Sequence, residues 1–188
     1  MKKHFCFSWL NTVLHDGMKK IRVWKVLPAL ILILISTGLS GQRPEKLKDA
    51  LIVVDAEEGP NLGSLVKNVH RAIYLNDGNQ VIAGKDTPSE DVMVAFCDAA
   101  SVNDLYENNP AFRQVKLLRI EISSTAENSV RLDLSRLNSF VNLKYIYFLF
   151  SYNACGNNSN DCLEVIVRGM VTGQRDRVRI IYELSIPQ

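Results

Sequence analysis

Histidine is scarce in this 188-residue chain: of three copies, His4 and His15 precede residue 42 and only His70 follows it. One imidazole and scattered cysteines are too few for a transition-metal site, so no metal ligand is assigned. Both tryptophans, Trp9 and Trp24, also lie in the first part of the chain. A Gly-rich phosphate loop, a dinucleotide-binding turn and a serine-centred nucleophile elbow are all missing. No cofactor is implied, no catalytic residue is assigned, and the chain does not read as an enzyme.

The one long apolar run is VLPALILILISTGL, Val26 to Leu39. Lys19, Lys20, Arg22 and Lys25 precede it, and Ser40, Gly41 and Gln42 follow. A cationic start, an apolar stretch of about 7–15 residues and small residues beyond are the layout of a secretory signal. The rival is a retained single-span anchor, but a bilayer core needs about 20 mostly apolar residues, and Arg22 and Lys25 interrupt the extension back to Ile21. No cysteine lies between Ile21 and Gln42, which excludes a lipid-modified cysteine there. Met18 followed by Lys19-Lys20 is the better initiator, which leaves MKKHFCFSWLNTVLHDG as a doubtful upstream piece.

The expected organisation is a signal over residues 1–41 and one exported domain over 42–188, secreted or periplasmic. Removing residues 1–41 takes away six basic residues (Lys2, Lys3, Lys19, Lys20, Arg22, Lys25) and one acid (Asp16), leaving 16 basic and 19 acidic side chains and a net charge of −3, against +2 for the full chain. A basic surface for nucleic acid is therefore not implied. Membrane association is expected only through an uncleaved N-terminal segment.

Along the domain, Leu51 to Val54 reads as a strand, and Leu62, Leu65, Val66 and Val69 fall at helical spacing. HRAIYL and QVIA flank Asn76-Asp77-Gly78-Asn79, a strong hairpin turn. Val92 to Phe96 reads as a strand after a polar loop around Pro88, and Ala99 to Tyr106 as a short helix. LEVIVRGMV and VRIIYELSI, joined by Gly-Gln-Arg-Asp, read as a C-terminal antiparallel hairpin that covers the last sheet edge.

Phe112, Val115, Leu118, Ile120 and Ile122 are spaced three, three, two and two, and Phe140, Leu143, Ile146, Phe148 and Phe150 repeat that spacing 28 residues later. A three-residue spacing suits a turn or arc, and a two-residue spacing suits a strand with one buried face. Two such units joined by a crossover place their strands parallel and adjacent.

Leu134 to Phe148, LSRLNSFVNLKYIYF, resembles the leucine-rich-repeat consensus, and AFRQVKLLRIEI is a weaker version. The resemblance covers Phe112 to Asn153. It departs from the family where Leu149-Phe150 is inserted and where Ile122 runs into SSTAEN without the usual asparagine. Two units are fewer than a standard horseshoe needs. The alternative is an ordinary α/β domain in which two turn–strand units coincide.

The expected fold is thus α/β, a small leucine-rich-repeat-like parallel sheet with short helices. The resemblance implies a strand-lined face for an extracytoplasmic protein partner, with Arg119, Glu121, Lys144, Tyr145 and Tyr147 as candidate binding residues. The signal and the C-terminal strands also resemble short secreted bacterial proteins common in Bacteroidetes.

Cys155 and Cys162 bracket the polar GNNSND loop, and in an exported protein they are expected to form a disulfide. Cys97 reads as a buried thiol at a strand end. The competing function is an exported hydrolase with a non-local site around His70, drawing on Asp55 or Cys97. Asp55, Glu57 and Glu58 read as a solvated loop, and Arg175, Asp176, Arg177 and Arg179 as the tip of the last hairpin, able at most to touch an anionic glycan or surface. Terminal sequencing of the exported protein should give a first residue at or near Gln42; a product still carrying Val26 to Leu39 would refute the signal.

Overall fold

The computed structural model describes residues 42–57, 61–68, 70–83, 92–156 and 159–186. The expected signal, Glu58, Val69 and the loop around Pro88 lie outside the described residues. The elements run β1 (Glu45–Lys46), α1 (Leu47–Glu57), α2 (Asn61–Lys67), β2 (Ala72–Asn76), β3 (Asn79–Ala83), β4 (Val94–Asp98), β5 (Leu117–Ile122), β6 (Leu132–Asp133), β7 (Tyr145–Phe150), α3 (Leu163–Met170), β8 (Val171–Thr172) and β9 (Arg179–Leu184). Short 3-10 turns, including Ala100–Tyr106 and Pro110–Gln114, lie in the connections from β4 to β5 and from β5 to β7.

The fold is α/β. Seven strands form one sheet in the order β1-β9-β7-β5-β4-β2-β3, and two-residue β6 and β8 pair separately. All neighbours in the large sheet are parallel except β2 and β3. That hairpin turns at Asp77 and Gly78, with φ of 50° and 73°. Two successive positive φ values make the tight turn that matches strand twist, which is why an Asp-Gly pair belongs there.

The 28-residue repeat is the register of the sheet. Leu118 stands beside Ile146, Ile120 beside Phe148 and Ile122 beside Phe150. One turn earlier the rings of Phe112 and Phe140 stack 4.5 Å apart. The Lys116 carbonyl accepts from the N–H groups of Lys144 and Tyr145, as the Met93 carbonyl does from Lys116 and Leu117 and the Lys144 carbonyl from Arg179. One face of every long parallel strand therefore enters a single apolar core with Phe112, Phe140 and Leu163.

On the opposite face, Leu47 and Ala50 of α1 and Leu62 and Leu65 of α2 share a second buried cluster with Ala72, Val94, Leu117, Tyr145, Tyr147, Leu149 and Ile181. Parallel sheets are stable with both faces covered, and these two helices supply the second cover.

Two sequence expectations are corrected. Leu51 to Val54 lies within α1 and is not a strand. Ile52 and Val53 point outward, 73% and 41% exposed. Their helix-propensity cost is a few tenths of a kcal/mol each, about, and the burial of Leu47 and Ala50 outweighs it.

The C-terminal hairpin does not form either. Leu163–Met170 is a helix, with Leu163, Val167 and Met170 buried at four- and three-residue intervals and Val165 71% exposed. Strand alternation would place Val165 and Val167 on one face. That helix lies in the crossover that parallel neighbours require, and it lets β9 run parallel to β7. The outer edge of β9 is met by β1.

Truncating Phe140 to alanine should cost about 3–5 kcal/mol of unfolding free energy, read by denaturant titration. The double variant with Phe112→Ala should lose less than the sum of the single losses, because the two rings share one contact. A loss below about 1 kcal/mol, the scale of an ordinary substitution, would mean that the stacked pair is not a core element.

Candidate functional site

Parallel registry arranges the helix-covered face in rows. One row reads Tyr74, Phe96, Arg119, Tyr147 and Ile181 across β2, β4, β5, β7 and β9, and the next reads Asp98, Glu121, Leu149 and Glu183. The helices' apolar cluster takes in Tyr147, Leu149 and Ile181. The corner formed by Tyr74, Phe96, Arg119, Asp98 and Glu121 opens instead into a cleft of about 780 Å³ at the carboxyl ends of β2, β4 and β5.

The floor of the cleft is a stacked row. Tyr74 and Phe96 lie 4.9 Å apart and 14° from parallel, and the Arg119 guanidinium sits 5.3 Å from the Phe96 ring centre. Offset stacking and a cation over a ring face each contribute about 0.5–1.5 kcal/mol, so the row is pre-ordered. Arg119 reaches Glu121 at 3.4 Å, while its Nε is buried with no acceptor among the described residues. A buried donor left unpaired favours a ligand that brings an acceptor.

The rim is fixed by short polar bonds. Asp98 accepts from the Ser101 N–H at 2.7 Å and the Asp77 N–H at 3.0 Å, and the Gly78 N–H donates to the buried Ser101 hydroxyl at 3.2 Å. These bonds hold the β2–β3 turn against the segment after β4. Across the cleft, Glu127 accepts from the Ser123 N–H at 2.7 Å and from the hydroxyls of Ser123 and Ser124 at 2.8 and 3.0 Å. Burial alone would raise the Glu127 pKa, but these three donors outweigh it and hold the carboxyl below its usual value.

The five candidate face residues do not form one surface. Arg119 and Glu121 line the cleft. Tyr145 and Tyr147 are 1% and 3% exposed beneath α1 and α2, so their rings are core and do not stand on an open strand face. The Tyr147 hydroxyl donates to Glu183, and burial, aided by that carboxylate, pushes its pKa up. Lys144 is exposed but lines a separate cleft with Tyr145. Tyr74, Phe96, Asp98 and Glu127 were missed in the sequence. Alternation in AIYLN and VAFCD marks the first three as sharing a parity, but only strand pairing brings them beside Arg119.

The rival constellation is not assembled. Cys97 points into the other face, where its thiol donates to the Asp98 carbonyl, and burial raises its pKa with help from Asp98 and Asp104. A thiol so shifted supplies no nucleophilic thiolate. His70 precedes β2, and its Nε2 lies 2.9 Å from the Ser64 carbonyl. Leu75, near the carboxyl end of β2, stands beside Cys97, whereas His70 comes before the strand begins at Ala72, so the two are not brought together. The side chains of Asp55 and Glu57 lie outside the described residues.

Cys155 and Cys162 form a disulfide with Cα atoms 5.6 Å apart, just before α3. By the loop-entropy argument so short a loop gains about 2–3 kcal/mol. The expected basic hairpin tip divides: Arg175 turns inward to donate to the carbonyls of Leu137 and Phe140, and Arg179 pairs with Glu45. Among the described residues no three of His, Cys, Asp and Glu gather as metal ligands, and no helix is long and apolar enough to cross a membrane. Compared with protein-family models, curated proteins and solved structures, the chain has no significant match in any of the three.

Peptide mapping after alkylation at pH 8 should find Cys97 unmodified in the folded protein and modified on unfolding, with Cys155 and Cys162 modified only after reduction. Rapid alkylation of Cys97 in the native state would contradict its burial.

Proposed function

We propose that this chain is an exported binding module whose degenerate leucine-rich-repeat-like sheet presents the Tyr74–Phe96–Arg119 cleft to an extracytoplasmic protein partner. The observation that carries this reading is the corner of the sheet face that α1 and α2 leave uncovered at the carboxyl ends of β2, β4 and β5. It joins a pre-ordered aromatic row to an unpaired arginine donor and fixed carboxylates at the carboxyl ends of parallel strands, where open α/β sheets commonly place their ligands. Parallel strands laid down at a 28-residue interval support the repeat likeness. The disulfide supports life in an oxidising compartment.

The chemistry selects a flat side chain that can lie on Tyr74, next to an acceptor for Arg119 and donors for Asp98 or Glu121. A protruding loop or strand of a protein supplies such groups together. Enzymatic turnover has no support from the placement of Cys97 and His70.

The test is a photo-reactive phenylalanine analogue placed at Tyr74 or, as a control, at exposed Val165, in cells of the native host. Position 74 should cross-link one discrete extracytoplasmic protein and position 165 should not. Arg119→Gln should cut the adduct about tenfold, the equivalent of 1.4 kcal/mol. Equal labelling from both positions, or a yield indifferent to Arg119→Gln, would remove the cleft as a binding site.

A further inference from the structure

The two edges of the seven-stranded sheet are unlike. At one edge β1 has two residues, both charged, and Glu45 is tied to Arg179 of β9. At the other edge β3 has five residues, NQVIA, with no charge and no proline, and every one is exposed. Its register with β2 runs unbroken from Asn79 to Ala83, and no strand among the described residues pairs beyond it. Proteins blunt a free edge by shortness, charge, proline or a bulge. β1 has the first two, and β3 has none of them.

The hairpin fixes which backbone groups of β3 face outward. Asn76 and Asn79 flank the Asp77-Gly78 turn and stand opposite each other, so they form the hydrogen-bonded pair that closes it. Bonded and non-bonded pairs alternate along an antiparallel ladder. The N–H and C=O groups of Asn79, Val81 and Ala83 therefore turn toward β2, and those of Gln80 and Ile82 turn away from the sheet. Side chains alternate as well. Val81 stands beside Tyr74 and extends the row of Tyr74, Phe96 and Arg119, while Ile82 stands beside Ile73 on the core face. Both are exposed, so the edge is apolar on each of its faces.

We propose that β3 pairs antiparallel with β3 of a second copy of this chain about a twofold axis at Val81, joining two sheets edge to edge. That axis brings Gln80 of one copy opposite Ile82 of the other, where outward N–H groups meet outward carbonyls. Val81 meets its own counterpart, Asn79 meets Ala83, and no charge is set against a charge. Self-pairing covers an apolar side chain on each face, which a polar strand would leave in water. It also closes. Each copy spends its bare edge in the pair and keeps only the short, charged β1 edge, so assembly stops at two copies and does not run on as a fibre. One strand edge is a small interface, so the dimer is reversible. Nothing here depends on what the aromatic cleft binds.

The experiment adds one cysteine to the full chain, oxidises intact cells of the native host with diamide, and reads the adducts on a non-reducing gel. In a non-bonded antiparallel pair the Cα atoms stand about 4.5 Å apart, within disulfide reach. Val81→Cys should give a covalent dimer of this chain. Asn79→Cys should not, because its two copies stand roughly 13 Å apart along the strands, and neither should Val165→Cys on α3. Co-expressed Asn79→Cys and Ala83→Cys chains should cross-link to each other. Adding Ile82→Pro to Val81→Cys removes an outward N–H and spares the bonds to β2. It should cut the dimer about tenfold, with Cys97 still protected from alkylation, which separates lost pairing from lost folding. A Val81→Cys chain that stays monomeric, or equal yields from positions 79, 81 and 165, would overturn the pairing. An adduct of Val81→Cys with a different protein would overturn the second copy in favour of a strand supplied by that protein.

Discussion

A parallel strand cannot be followed directly by its neighbour; the chain must leave the sheet, return to the same end and bury what it carries on the way. In this protein that requirement is met by stacking Phe112 on Phe140 while the Lys116 carbonyl takes the N–H groups that open β7. With those contacts in place, Leu118, Ile120 and Ile122 fall beside Ile146, Phe148 and Phe150. A slip of one residue would turn Arg119 and Glu121 into the core and Leu118 and Ile120 out of it. The register of β5 against β7, the core between them and the placement of Arg119 and Glu121 on the opposite face follow from one 28-residue offset.

The opposite face sets a different problem. Tyr145, Tyr147, Leu149 and Ile181 are too apolar to leave in water, yet their row continues into Arg119 and Glu183. The short helices α1 and α2 cover the apolar part and stop. Tyr147 marks the boundary: its ring is buried with the helices while its hydroxyl reaches Glu183. Two openings result at opposite ends of the strands, because the cover is shorter than the sheet it covers.

What could be read in the sequence was whatever depends on local spacing. The Asp77-Gly78 turn was legible because its backbone conformation restricts the residues that adopt it, and the two phenylalanine-led units because a repeated core shows as repeated spacing. The Cys155–Cys162 pair was legible from proximity alone. The short apolar runs in α1 and α3 misled because four to eight apolar residues suit a buried strand and a helix face equally well. The aromatic cleft needed registry among three strands drawn from 72–121, and the burial of Tyr145 and Tyr147 needed residues 47–65 to fold across them. Neither relation leaves a trace within one stretch of sequence.

Charge on this face is sorted along the strand direction. Asp77, Asp98, Glu121 and Glu127 gather with Arg119 at the carboxyl ends of β2, β4 and β5, while Lys144, Arg177 and Arg179 gather where β7 and β9 begin. From Lys144 to the level of Glu121, which stands beside Leu149, is five residues, roughly 16 Å along the strand. The Debye length is about 8 Å at physiological salt, so neither cluster does much to screen or offset the other across the surface. Each opening keeps its own electrostatic preference, and a net charge of −3 for residues 42–188 describes neither of them.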